Sequence, residues 1–272
     1  MNFIQTLFKG ERGLFKADTL TPMQKMTLRF VVVGLVYYAF AVIEGMIMRI
    51  YLAQPFPLIP PEQFYGILTA HPLVGIFGST YSIVFGAVLF LVPFLMKKPL
   101  WSIKLANRTC VLVGVGTFVF WFAGFLTLYS PLYTLYWPLP ADFTQFSIWG
   151  GIFFITGIAL VMLGTVFFVI NIFATIGYTP EGMSKQPTGA LIASALGLSG
   201  FRNLFAKEKK EHLVSLPVAA IARGTIDTAL NSGIILFTGV LILVYMIAAV
   251  FGYNLKHSAV DALLYKNWFW WG

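Results

Sequence analysis

The sequence predicts an all-α integral membrane protein with about five transmembrane helices, its N-terminus inside and its C-terminus outside. Three observations lead there. Of its 272 residues, 58% are hydrophobic and 10% charged, against roughly 25% charged in soluble domains. Apolar runs of about 20 residues or more, the length that crosses a bilayer, recur along the chain. The basic residues crowd into alternate loops, as the positive-inside rule requires.

The elements follow in order. Residues 1–27 are polar and mixed, and read as a cytoplasmic N-terminal segment rather than a cleaved signal peptide. Span one is Leu28–Met48, span two Phe64–Met96, span three Val111–Leu128, span four Phe146–Ile176 and span five Val214–Phe251. Spans two, four and five exceed what a bilayer needs, so they extend beyond it, tilt or bend. Residues 28–272 thus form one membrane domain, with an enlarged cytoplasmic loop at about 177–211. The middle of that loop, Gly189–Phe205, fits either an amphipathic interfacial helix or a solvated connector.

The charge pattern fixes both orientation and partners. The net charge is +8, and all but three of the 18 basic residues precede span one or lie around the loops after spans two and four. The exceptions are Arg49, Lys256 and Lys266. This charge is topological, and nucleic acid is not an expected partner. The single cysteine, Cys110, excludes an intramolecular disulfide and any CxxC site. The outer loops, 54–61 and 130–140, are rich in Pro and aromatic residues, which suits segments capping the outer face.

His71 is the histidine inside a span. An ionisable or ligating group in lipid is expensive and marks a functional site by default, and neutral imidazole is the commonest metal ligand. It lies roughly 10 Å below the outer end of span two. Gly75, Gly78, Ser79, Ser82 and Gly86 follow it at spacings that share one face of an α-helix. Two readings stay open: a smooth trough in which a flat macrocycle lies beneath an axial ligand, or a small-residue helix–helix contact.

Other intramembrane charges are weaker signals. Arg49 closes span one and suits either a cofactor edge or a snorkelling interfacial role. Glu44 stands about one turn from it and could pair with it. Asp227 and Asn231 sit one turn apart in span five, with Arg223 placed to pair with Asp227. There is no HExxH, GxSxG, P-loop or Rossmann pattern.

Several segments carry a family resemblance. Arg49–Pro55 looks like the end of helix I of haem–copper terminal oxidase subunit I. Tyr65–Pro93, with Thr69-Ala70-His71, looks like its helix II. Leu132–Leu139 resembles the aromatic-Pro loop after helix III, and Asp261–Gly272 the lead into helix VI. The Tyr133/Thr134/Tyr136 and Phe269-Trp270-Trp271 pieces are closest to the B-type branch.

The resemblance implies roles. His71 would be one axial ligand of a low-spin haem, of unspecified type. Arg49 would stand near a haem substituent, with Gly75, Gly78 and Ser79 against the macrocycle. Tyr133 and Trp137 would cap the outer side, and Trp270 would lie near the copper site. The chain would be part of a respiratory oxidase in a prokaryotic plasma membrane, reducing oxygen to water with proton translocation. Electrons would come from quinol, a cytochrome c or a cupredoxin. Rival expectations are a nitric oxide reductase-like subunit and a non-catalytic five-helix subunit.

Two departures refine this. Leu100 stands about where A-type relatives carry the aspartate of one proton channel, so that channel is expected to be absent. The copper ligands, the high-spin haem ligand and the second low-spin ligand do not occur here. The chain is therefore expected to be the N-terminal half of a split subunit I, or else a fragment of one longer polypeptide, and inactive alone either way. The C-terminal half, a subunit II-like chain and other subunits would be its partners, with membrane lipid around them. The high-spin haem and copper would sit mainly on the partner.

Overall fold

The computed structural model describes residues 20–53, 59–132, 135–178, 187–205 and 213–271. Five helices are long and apolar enough to cross a membrane: α1 (Pro22–Ala53), α2 (Pro61–Met96), α3 (Ile103–Leu126), α4 (Ile148–Gly177) and α7 (Leu216–Val250). Two short helices, α5 (Thr188–Ala195) and α6 (Leu198–Phe205), lie between α4 and α7, and α8 (Ala262–Trp271) follows. No strand occurs among the described residues. The predicted all-α architecture with five membrane-length helices stands.

Local chemistry sets the helix ends. The α1 helix starts six residues before the apolar run because Thr21 and Gln24 form a reciprocal capping box. Gln24 N–H donates to Thr21 Oγ1 (3.3 Å), and Thr21 N–H donates to Gln24 Oε1 (2.9 Å). The α2 helix closes at Lys97, in the left-handed region (φ 52°), where the Lys97 and Lys98 amides return to Phe94 and Pro93 carbonyls. Ser102 caps α3 by accepting from Leu105 N–H (3.1 Å).

The α2–α3 turn is tied to α4. Asn171, fully buried, accepts from Ser102 N–H (3.1 Å) and donates to Ser102 C=O (2.8 Å). Thr175 accepts from Trp101 N–H (3.1 Å). Lys98 donates to the carbonyls of Ile176 (2.7 Å) and Tyr178 (2.6 Å), which satisfies the end of α4. Leu100 is thereby driven into the apolar core beside Ile172 and Ile176.

The α3 and α4 helices approach backbone to backbone through Gly116 and Gly157. A Cβ on Gly157 would stand 2.5 Å from Phe120 N, and one on Gly116 would stand 2.7 Å from Gly157 O. Such close approach is how helices gain dispersion where lipid supplies no hydrophobic drive. In the long loop, α5 buries Leu191 and Ala195 in the bundle, whereas α6 exposes Leu198, Phe201 and Phe205 along one face. The loop is helical on both sides of Gly197.

Candidate functional site

His71 sits in the first third of α2, next to Gly45 of α1. A Cβ at Gly45 would lie 3.3 Å from His71 Cε1, so the imidazole packs against bare backbone. Its Nδ1 is buried with no hydrogen-bond partner. Neighbouring Thr69 donates to Tyr65 C=O (2.9 Å) and accepts from Leu132 N–H (3.1 Å), pinning the loop after α3 to the same stretch.

Just below His71 the helix changes pitch. Val74–Tyr81 is π-helical, and Thr80 Oγ1 donates to Gly75 C=O, five residues back, at 3.0 Å. Pro72 stands two residues before this segment and leaves the carbonyl of Leu68, one turn earlier, without its helical donor, yet the α pitch persists through it, with Val74 N–H returning to Ala70 C=O.

This corrects the trough drawn from α-helical spacing. The wider turns rotate the later small residues away from the His71 face. A Cβ on Gly78 would meet Tyr37 at 2.6 Å and Thr117 at 2.7 Å, and one on Gly86 would meet Phe30 at 2.5 Å. Ser79 and Ser82 are buried. At Gly78 and Gly86 the small-residue stripe is therefore a helix seam, not a bed for a macrocycle. At Gly75 the contact is looser, with Ala41 Cβ at an ordinary 4.0 Å from where a Cβ would stand.

Glu44 is 95% buried, at 5% exposure, and it does not pair with Arg49. Its Oε1 accepts from Trp121 Nε1–H of α3 (2.7 Å), and its Oε2 is buried without a partner. The depth explains this: Glu44 lies within the apolar slab, whereas Arg49 is exposed toward the helix end. Sequence reasoning missed Trp121, which lies 77 positions away. Arg223 and Asp227 are both exposed and form no ion pair among the described residues.

The outer face is closed by aromatic residues. Trp137 is buried against Tyr245 and Tyr265, with ring centroids at 4.8 and 5.3 Å, and donates through Nε1 to His257 C=O (2.9 Å). Tyr129 donates to Pro140 C=O (2.6 Å) and Tyr245 to Lys256 C=O (2.8 Å). Burial pushes the Tyr129 and Tyr265 phenols far up, and for Tyr129 the neighbouring Tyr265 adds to this. Tyr133 lies outside the described residues, and so does the side chain of Trp270.

An imidazole whose Cε1 edge is set against glycine, with an orphaned buried nitrogen, fits an axial ligand to a macrocycle. Among the described residues no group of three His, Cys, Asp or Glu side chains could hold a metal ion. The class defined so far is a multi-pass helical membrane protein with one histidine, His71, within the long helices among the described residues. Residues 25–272 match the family model described as Cytochrome C and Quinol oxidase polypeptide I, and the chain belongs to that family, subunit I of the haem–copper oxidases. No curated protein matches the chain. The family is one of oxidoreductases, generally binds haem and copper, and works in terminal oxidase complexes with subunit II-like partners.

Proposed function

We propose that this chain supplies one axial ligand, His71, to a low-spin haem in a respiratory terminal oxidase. The observation that carries the reading is the His71 ring, packed on Gly45 with its Nδ1 buried and unpartnered. Bound there, a haem supplies one-electron redox chemistry, tuned by its axial ligand and the dryness of its pocket. Gly45 leaves room for the imidazole, Thr69 fixes the backbone beside it, and the outer aromatic cap around Trp137 excludes water. Arg49 serves a haem substituent from the outer boundary, and Gly75 is the least tightly packed of the small residues below the ligand.

The remaining haem–copper ligands belong to residues beyond these 272, on a chain carrying the C-terminal half of the subunit. Oxygen reduction to water and proton translocation are properties of that assembly, in a prokaryotic plasma membrane with the basic loops inside. The B-type branch fits Leu100, which fills with hydrocarbon the turn where A-type relatives carry an acid. The test is a visible spectrum of the purified oxidase complex. His71→Ala removes the low-spin haem bands while the high-spin bands persist. An unchanged low-spin spectrum would refute the assignment. Mass spectrometry of the same complex identifies the polypeptide that carries the other ligands.

A further inference from the structure

A groove of about 600 Å³ runs between α1 and α3 on the lipid-facing side of the bundle. Its walls are hydrocarbon, with Val33, Phe40 and Val115 among them, and Trp121 stands at its far end. The one charged residue that lines it is Arg29, at the opposite end. From Arg29 to Phe40 the α1 helix rises roughly 16 Å. That is about half of a 30 Å hydrocarbon slab, the depth of one leaflet.

The mouth is cationic. Arg29 Nη1 donates to Asn107 Oδ1 of α3 at 2.8 Å, which fixes the guanidinium across the opening. Lys25 lies one turn from Arg29 on α1. Lys104 and Arg108 lie on α3, on the face that carries Val111 and Val115. All four are exposed, and none forms an ion pair among the described residues. We propose that this groove holds one acyl chain of an anionic phospholipid, with the phosphate at Arg29 and Arg108. Length, apolar walls and unpaired basic charge at one end match that ligand together. The site needs neither the haem assignment nor a particular membrane orientation, because it uses the leaflet on the basic side whichever that is.

Each basic residue near a membrane surface strengthens anionic lipid binding about fivefold. In the purified oxidase complex, phosphatidylglycerol retained through detergent exchange falls about fivefold in Arg29→Gln and about thirtyfold in Arg29→Gln with Arg108→Gln. Gly114→Leu blocks the groove from within. A Cβ there would meet Val33 at an ordinary 3.4 Å, so the longer side chain projects into the groove without breaking the bundle. It abolishes retention with all charges intact. A photo-crosslinking residue at Val115 labels the occupant directly, and a phospholipid adduct is expected. An adduct to another subunit, an adduct to an isoprenoid quinone, no adduct, or retention unchanged in the variants would each overturn the proposal.

Discussion

Replacing Gly157 by Ala tests the packing of the two most closely apposed helices. The added Cβ would stand 2.5 Å from Phe120 N and 2.6 Å from Gly116 O, both backbone atoms that cannot swing aside. Ordinary contact begins at 3.4 Å, so α3 and α4 must part by about 0.9 Å. A gap of 0.5–1 Å forfeits roughly a quarter to a half of each dispersion well along the seam. Overpacking of this kind costs about 1–3 kcal/mol. Alanine returns about 0.5–1 kcal/mol through its higher helix propensity. The matched control is Gly224→Ala, where a Cβ meets nothing within 4 Å and only the propensity gain remains. Thermal unfolding of the purified oxidase complex, followed by tryptophan fluorescence, should place Gly157→Ala below wild type and Gly224→Ala at or above it. Equal midpoints for the two variants would refute the seam.

Three further outcomes are expected. Asn171→Ala leaves the Ser102 amide and carbonyl without their buried partner and costs roughly 2 kcal/mol, read as a lowered unfolding midpoint and faster cleavage of the α2–α3 turn. Trp121→Phe strips Glu44 of its donor and destabilises by about 1–3 kcal/mol, whereas Trp121→Phe with Glu44→Leu recovers most of the loss because no orphan is left; additive losses would refute the pair. Alkali loosens the outer cap: the folded chain keeps the Tyr129 and Tyr265 protons after the unfolded chain sheds its own at 10.0, so stability is full below that value and falls as pH rises past it. Proteolysis of the outer loops across about pH 9 to 11 reads this, and Tyr129→Phe flattens the slope.

What the sequence made legible follows from how local each cause is. Five apolar runs became five helices because span length answers to bilayer thickness. The Pro-rich loop at 130–140 became an outer cap because its aromatic residues have few other places to go, although Trp137 finds His257 only across 120 positions. The start of α1 was written in Thr21 and Gln24, but hydropathy overlooks a polar first turn. The Glu44–Trp121 bond is tertiary, and no spacing rule reaches it. The π-helical segment defeated a count made at 3.6 residues per turn.

The seam between α1 and α2 is not equally tight along its length. A Cβ on Gly86 would meet Phe30 at 2.5 Å, on Gly34 Ile83 at 2.5 Å, and on Gly78 Tyr37 at 2.6 Å, so the seam is shut through its basic half. At Gly75 the clearance rises to 4.0 Å, and at Gly45 the neighbour is the His71 ring at 3.3 Å. Glu44 and His71 lie at one depth, roughly 14–15 Å along their helices from the outer ends. Each carries a buried polar atom with no partner, and such atoms are costly in hydrocarbon. Ser82 and Thr117 carry such atoms too, Thr117 beside Gly78 where the seam is shut. Unsatisfied polarity thus runs along the bundle, and among the described groups within the long helices it falls on a side chain able to ionise or ligate at Glu44 and His71, an argument that does not use the spacing that first drew attention to His71.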